Sequence, residues 1–465
     1  MAVDNSMFEI IAPSRFITFC FPNPSSSTTS LLRVAVLDSP YQLTDSPRVA
    51  AMVVPKHRDS DWIFSTESGH LQLLLSSPGI SRLILIGDQS SSSHPIYRRP
   101  AKNDTSCDDE LGVSLKPLLL ALSPKSCFKH GMPEIPLLSY EDNVISSVVL
   151  EKCVGPLVGE MLVEDVELDC GGDVSKREFR RRLRFKRMPN LVQTEVLIIP
   201  NLGFGLDCVD LGEVEFRLDN NVLVHPYLVP MVASLRLAAP YIEGQIRSGL
   251  RPKALCLGVG GGALLGFLRT QLGFQVVGVE ADEEVLRVSR QYFGLEDGEH
   301  IKVYFGDALE VIGKLADRGN GHNLGFSDTH GVEDGCDLVN GNDVDTKFDV
   351  IMVDLDSSDA TDGLIAPPLE FVRKHVLLSA RSVLCDNGIL AINVIPPNIS
   401  FYKTLIQEFR EVFNELYEID MGNGENFILI AAALPLMPSS DCENHFLNKL
   451  GMAISGAYLN SIKKI

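Results

Sequence analysis

The chain has 465 residues, 45% hydrophobic and 22% charged, with a formal net charge of -20. That length exceeds one ordinary core and predicts two or three domains, and the composition excludes a disordered chain. The acidity repels nucleic-acid phosphates and anionic membranes, so the expected partner is cationic, such as a basic protein segment or a polyamine, with no nucleic acid and no membrane.

The ten cysteines are scattered, and none stands in a Cys-x-x-Cys pair. This argues against a disulfide framework or a zinc site and suits a reducing compartment. No apolar run reaches the ~18 residues of a membrane span. Asp4 and Glu9 precede the first arginine, which makes a poor signal peptide. A cytoplasmic location is expected, with the Ser/Thr-rich run Ser25–Ser30 leaving organellar targeting as the alternative. Nothing in the sequence fixes the oligomeric state.

Residues 1–190 predict short strands and loops, including "LLRVAVLD", "RVAAMVVP" and "SRLILIGD". They carry no recognisable site and are expected to form a separate mixed α/β domain of structural or interaction type. Near its end, "KREFRRRLRFKR" (Lys176–Arg187) places eight basic residues in twelve. Phe179, Leu183 and Phe185 alternate through it as in a half-exposed strand. The expectation is a solvated basic edge that discourages sheet pairing. The alternative is a phosphate or RNA contact.

Residues 191–245 predict a small β-hairpin, with turn chemistry at Asp219–Asn221, and a lead-in helix "MVASLRLAAPYI". From 246 to 435 strands and helices alternate, the signature of a parallel α/β sheet. Residues 436–465 are a C-terminal tail.

Within 246–435, four strand ends carry chemistry. "ALCLGVGGGALLGFL" is a strand, a glycine turn and a helix. Gly258, Gly260 and Gly262 permit a sharp turn and a close ligand approach, and the following helix is expected to offer unpaired N–H groups. Gly258-x-Gly260-x-x-Ala263 would also satisfy a dinucleotide fingerprint. The next strand ends at Glu280, 22 residues after Gly258, where an acid accepts ribose hydroxyls. "IKVYFGDALEVI" ends in Asp307-Ala308, suited to an adenine amino group. "KFDVIMVDLDSSDATDG" ends in Asp354, with Asp356, Asp359 and Asp362 behind it.

Ligands of open α/β sheets bind at such carboxyl ends. A nicotinamide enzyme needs no acid at the third and fourth positions, whereas an S-adenosylmethionine-dependent methyltransferase does. The bland alternative, a row of helix N-caps, suits Asp359 and Asp362 better than the ordered series. Residues 317–346 hold seven acids and six glycines, an expected disordered acidic insertion. His322 and His330 there have no ligand-like spacing with Cys336, so no metal site is expected.

"LGVGGGALLGFL", "GVEADEEVLRVSRQYFG", "FGDALEVI" and "DVIMVDLDSSDATDGLIAPPLEFV" resemble the methyltransferase-like protein 13 family, the elongation factor 1-alpha lysine and N-terminal methyltransferases, over its C-terminal half. "WIFSTESGHLQLLLSSPGISRLILI", "RRLRFKRMPNLVQTEVLI" and "LNSIKKI" extend the likeness along most of the chain. The resemblance implies an α/β fold: a Rossmann-like seven-stranded class I methyltransferase domain, a small β-hairpin before it, and a separate N-terminal domain. It implies S-adenosyl-L-methionine held by Gly258, Gly260, Gly262, Glu280, Asp307, Ala308 and Asp354, with Asp354 and Asp356 catalytic. It implies transfer to the free α-amine of a basic protein, possibly elongation factor 1-alpha. No second glycine turn with acidic stations precedes Arg251, so the lysine-directed domain of that family is not expected here.

The C-terminal half also looks related to spermidine synthases, which use an Asp-Ser-Ser-Asp run after the fourth strand. Here the run is "DLDSSD", and "HPYLVPM" (His225–Met231) lacks the acid that those enzymes place beside a tyrosine. Polyamine aminopropyl transfer is therefore the alternative activity, and a non-catalytic interaction protein that keeps the fold is the alternative class.

Overall fold

A computed structural model of the protein describes residues 5–24, 30–41, 47–89, 96–100, 106–129, 131–171, 177–201, 210–319, 347–357, 366–422, 424–436 and 444–465. Most of the expected acidic insertion (320–346), together with Asp359 and Asp362, lies outside the described residues; residues 317–319 end a helix. No helix among the described residues is long and apolar enough to cross a membrane.

The N-terminal part is a mixed sheet of β1 (Phe16–Pro22), β2 (Leu31–Asp38), β3 (Val49–Val53), β4 (Arg82–Asp88) and, beyond β5 (Ile96–Arg98), β6 (Leu137–Leu138). Its order is β1-β2-β4-β3-β6. The apolar run of β4 is continuous because both faces are covered. Leu83 and Leu85 pack with Leu73 and Leu74 of α1 (Glu67–Leu75), whereas Ile84 and Ile86 pack with Leu115 and Leu119 of α2 (Ser106–Ala121). At its start β4 buries Arg82 completely. That guanidinium donates to Asp38 Oδ1 at 2.6 Å and to the carbonyls of Phe8, Ile10 and Leu122.

The expected small hairpin is the edge of a larger structure. β7 (Val144–Gly155), β8 (Gly159–Asp169), β9 (Arg177–Phe185), β10 (Val192–Pro200) and β11 (Phe216–Asp219) join β5 in a six-stranded antiparallel sheet, order β11-β10-β9-β8-β7-β5. The basic run is β9. It is internal, which corrects the exposed-edge expectation. Its register sets Arg181 opposite Asp165, and Arg182 between Glu164 and Glu195. Arg177 pairs with Glu167, Arg180 and Arg182 with Glu195, Arg181 with Asp165, and Arg184 with Asp61 and Glu164. Cross-strand opposite charges stabilise a sheet, and here each cation has its acid on a neighbouring strand or loop.

This sheet lies between two others. Met161, Val163, Leu183 and Phe185 on one face pack on Val285, Val288 and Phe293. Asp282 fastens the contact. It caps the helix α5 introduced below and accepts the N–H groups of Leu157 and Val158, at 2.9 Å each, from the β7–β8 turn.

The third sheet contains β12 (Lys253–Leu257), β13 (Gln275–Glu280), β14 (Ile301–Phe305), β15 (Phe348–Val353), β16 (Leu384–Val394), β17 (Glu415–Asp420), β18 (Phe427–Ala432) and β19 (Lys463–Lys464). The order is β14-β13-β12-β15-β16-β18-β17-β19, parallel from β14 to β16 and antiparallel beyond. There are eight strands where seven were expected. The extra one is two residues of the tail, which pair with β17 because the Ile465 N–H reaches the Leu416 carbonyl and Lys464 reaches Glu415.

The helices around it are α3 (Ala239–Arg247), α4 (Ala263–Phe267), α5 (Glu283–Tyr292), α6 (Ala308–Gly319), α7 (Lys374–Val383), α8 (Ile399–Arg410) and α9 (His445–Ala453). α6, α7 and α8 bury one face of the sheet, and α3, α4 and α9 the other. Asp349, the one polar residue of β15, is buried where the strand begins. It accepts the Tyr241 and Gln245 side chains of α3 and the Lys253 N–H.

Removing one partner of a buried ion pair leaves the other charge uncompensated. Asp38→Ala should therefore destabilise the chain by about 3–5 kcal/mol. Denaturant unfolding checks this; an Asp38→Ala variant as stable as the wild type would contradict the role given to the pair.

Candidate functional site

The glycine turn follows β12, and its backbone is left-handed at three positions: φ is +85° at Gly258, +50° at Gly260 and +81° at Gly262. A Cβ on Gly258 would lie 2.0 Å from the Asp354 carbonyl oxygen. The turn is thus folded against the end of β15, and only glycine fits there.

The N–H groups of the turn itself, Gly258 to Gly262, all have partners within the fold. Gly258 donates to Val279, Gly262 to Val259, and Gly261 to Thr194 Oγ1 at 2.7 Å. Val259 and Gly260 donate to Glu280 Oε2 at 3.1 and 3.4 Å. The following helix, α4, is a five-residue segment that passes into a π-helical turn at Leu268–Leu272. A pyrophosphate needs open backbone donors at this point. Here the donors are spent, and a carboxylate stands over them.

Glu280 also accepts from Ala281 and Asp282 through Oε1, at 3.0 and 3.1 Å. Burial raises its pKa, against the pull of those four N–H groups. Asp307 sits at the end of β14 and caps α6, accepting from Leu309 and Glu310 at 2.8 and 3.0 Å. Ala308 beside it is buried in the core under the sheet.

Asp354 and Asp356 lie at and just beyond the end of β15. Asp354 Oδ2 accepts the Tyr227 hydroxyl at 2.9 Å, and Oδ1 faces Asn393 Nδ2 at 3.5 Å. Burial pushes the Asp354 carboxyl up to about 7; Tyr227 and Asn393 oppose this, and the charges of Asp356 and Glu280 add to it. Asp356 is tied to Arg187 Nη2 at 2.6 Å, while Arg187 Nη1 faces the Ser357 carbonyl at 3.4 Å. Its pKa is also raised by burial, with Arg187 pulling it down. The glycine turn, Glu280, Asp354 and Asp356 therefore meet at one place, with Asp307 and Ala308 at the carboxyl end of β14, two strands from β12.

Three residues of this site, Asn393, Arg187 and Thr194, escaped the sequence reading, and Tyr227 entered it only through the likeness of "HPYLVPM" to spermidine synthases. Tyr227 is held by the neighbouring His225 ring, centroids 4.3 Å apart, and His225 Nε2 is 2.9 Å from the Val192 carbonyl. Asn393 was detectable as the polar residue near the end of the apolar strand "ILAINVI". Arg187 was hidden in a basic run whose other members have structural partners. Thr194 carried no signal, because its role depends on β10 reaching the glycine turn.

Among the described residues one group, Glu151, Cys153 and Glu284, has metal-ligand geometry, but Arg287 already pairs with both acids at 2.7 Å.

The fold disfavours ionised Asp354, since its folded pKa of about 7 exceeds the ordinary 3.8. That group's contribution to stability is complete at low pH and lost as pH rises through about 7. Asp354→Asn should therefore melt above the wild type at about pH 8, with the difference closing as pH falls toward 4. Thermal unfolding across pH checks this; a variant less stable than the wild type at the higher pH would contradict it.

No family model matches the chain. Among curated proteins it is 28% identical over 416 residues to the eEF1A lysine and N-terminal methyltransferase of Xenopus laevis, covering 85% of this chain and 52% of that protein. It is 26% identical over 421 residues to the Homo sapiens protein of the same name, covering 86% and 53%. Among solved structures, human methyltransferase-like protein 13 in complex with SAH aligns at 24% identity and a TM-score of 0.38, over 50% of this chain and 91% of that one. The chain is similar to the eEF1A lysine and N-terminal methyltransferases and spans about half the length of the curated relatives it matches.

Proposed function

We propose that the chain is an S-adenosylmethionine-dependent protein N-methyltransferase that acts on a protein α-amine. The observation that carries this reading is Asp354: a buried carboxylate at the end of a central parallel strand, bonded to Tyr227, with a pKa near neutrality. The sheet order, parallel through β16 with β18 inserted antiparallel before β17, fits a class I methyltransferase core. The names of its relatives support a protein substrate.

The residues suit a cationic ligand rather than a dinucleotide. The turn's donors are closed, Glu280 is placed to meet ribose hydroxyls, and Asp354 lacks a counter-cation among the described residues. Gly258, Gly260 and Gly262 would let the cofactor approach, Glu280 would hold its ribose, and Asp307 with Ala308 its adenine end. When bound, S-adenosylmethionine supplies an electrophilic methyl group on a sulfonium.

The amine must lose its proton to expose a lone pair. Asp354 at about 7 is the acceptor. An α-amine, at about 7.7–8.0, passes its proton uphill by about 1–1.4 kcal/mol, whereas a lysine at about 10.4 would need about 4.6 kcal/mol. Tyr227 and Asn393 fix the carboxylate's two oxygens toward their own sides and so orient it. Asp356, paired with Arg187, anchors the start of the loop that leaves β15 and contributes negative charge to the field around Asp354. A basic segment, as in an elongation factor 1-alpha-like substrate, matches the net charge of -20.

The alternative, aminopropyl transfer to a diamine, keeps the observation that Tyr227 stands where those enzymes place a tyrosine. It would need a second unpaired carboxylate just beyond β15, and there Arg187 occupies Asp356.

The test is transfer from labelled S-adenosylmethionine to elongation factor 1-alpha carrying a free or an acetylated N-terminus. Label on the free form and at least tenfold less on the acetylated form is expected. Equal labelling of both, or faster conversion of putrescine with the decarboxylated cofactor, would contradict the α-amine reading.

A further inference from the structure

Two segments that the transfer site does not absorb, "WIFSTESGH" and the basic strand β9, meet between the five-stranded and six-stranded sheets. They enclose a cavity of about 370 Å³. That is within the range of small-molecule sites, about 300–1,000 Å³.

The strand register fixes one wall. Lys152, Leu162, Arg184 and Val192 stand opposite one another on β7, β8, β9 and β10, in one transverse row, and all four line the cavity. The row alternates a cation, an apolar side chain, a cation and an apolar side chain. Strands are about 4.8 Å apart, so roughly 10 Å separates the backbones of the two cations across Leu162.

The two cations have capacity to spare. Lys152 is exposed and has no ion-pair partner among the described residues. Arg184 spends its Nη groups on Asp61 and Glu164, but its Nε is buried with no acceptor. An unmet buried donor near a cavity calls for an explanation, and an acceptor on a bound ligand supplies one. The lining holds four Lys or Arg residues against three carboxylates, in a chain whose overall charge is -20. Trp62 also lines the cavity, with the Arg184 guanidinium 6.0 Å from its ring centroid. Cations at the ends, an apolar floor and an aromatic wall together suit a flat body bearing one anion.

We propose that this cavity is a second ligand site, which takes a small planar anion, an aryl carboxylate or aryl phosphate, between Lys152 and Arg184 and against Trp62. The segment 187–194 is a wall shared with the transfer site. Asn190 and Val192 face the cavity. Arg187 holds Asp356, Thr194 holds the Gly261 N–H, and the Val192 carbonyl holds His225. A ligand in the cavity therefore touches the strand that positions the glycine turn and the His225–Tyr227 pair.

Trp62 is the only tryptophan of the chain, so its fluorescence reports on this cavity alone. The full chain is titrated with phenyl phosphate, with benzoate and with neutral benzyl alcohol, and calorimetry repeats each titration. Saturable binding of at least one anion, absent for the alcohol and weakened at least tenfold in Lys152→Gln, is the expected result. Whichever anion binds more tightly names the source chemistry. Lys152 is exposed, so the variant should fold as the wild type does. No saturable binding by either method, equal binding of the alcohol, or undiminished binding in Lys152→Gln would overturn the proposal.

Discussion

A carboxylate at the end of a fully buried strand is the constraint on which this molecule depends. All six residues of β15 are buried, and Asp354 follows directly. Desolvation disfavours its charge, and among the described residues no cation lies against it to offset that. The surrounding elements supply oriented dipoles instead: the Tyr227 hydroxyl from the segment before α3, and the Asn393 amide from β16. The glycine turn closes over the same strand end, with Gly258 against the Asp354 carbonyl. Strands, turn and lead-in helix are thereby locked to one another around a group that remains easy to protonate.

The six-stranded sheet carries the same electrostatic logic outward. Its inner strand β9 is cationic and its neighbours β8 and β10 are acidic, so charges that would be costly singly are satisfied in pairs. One cation of the series, Arg187, falls beyond the end of β9 and finds its acid in the candidate site rather than in the sheet. The middle sheet thus reaches the chemistry at three points, through Arg187, Thr194 and the Val192 carbonyl. Asp282 ties its far turn to the helix after Glu280. Motion of this sheet would be felt at the glycine turn and at Asp354 together.

The parallel α/β core was legible because its signals are local. Each strand is largely an apolar run, the first four strand ends carry a glycine turn or an acid, and the closing hairpin follows in sequence. Local signals also located Glu280, Asp307 and Asp354 at strand ends. What escaped depends on pairing between distant segments. The basic run looked like an edge because its counter-charges, Asp165, Glu167 and Glu195, lie on other strands. The hairpin looked small because β7 and β8 are separated from β10 by the basic strand that joins them. Thr194 and Tyr227 act only once β10 and the segment before α3 are folded against β12 and β15. The glycine turn looked open because Glu280 bonds it from the next strand.

In the proposed reaction Asp354 takes the proton of an incoming α-amine. The most direct test of this is the pH dependence of kcat/KM for methylation of a peptide with a free N-terminus, in the wild type and in Asp354→Asn. If Asp354 is the acceptor, the acid limb of the wild type lies near its own pKa of about 7. In Asp354→Asn the limb moves up to the amine's value of about 7.7–8.0, with a lower plateau. A wild-type limb already at the amine's value, and unmoved by the substitution, would contradict the claim.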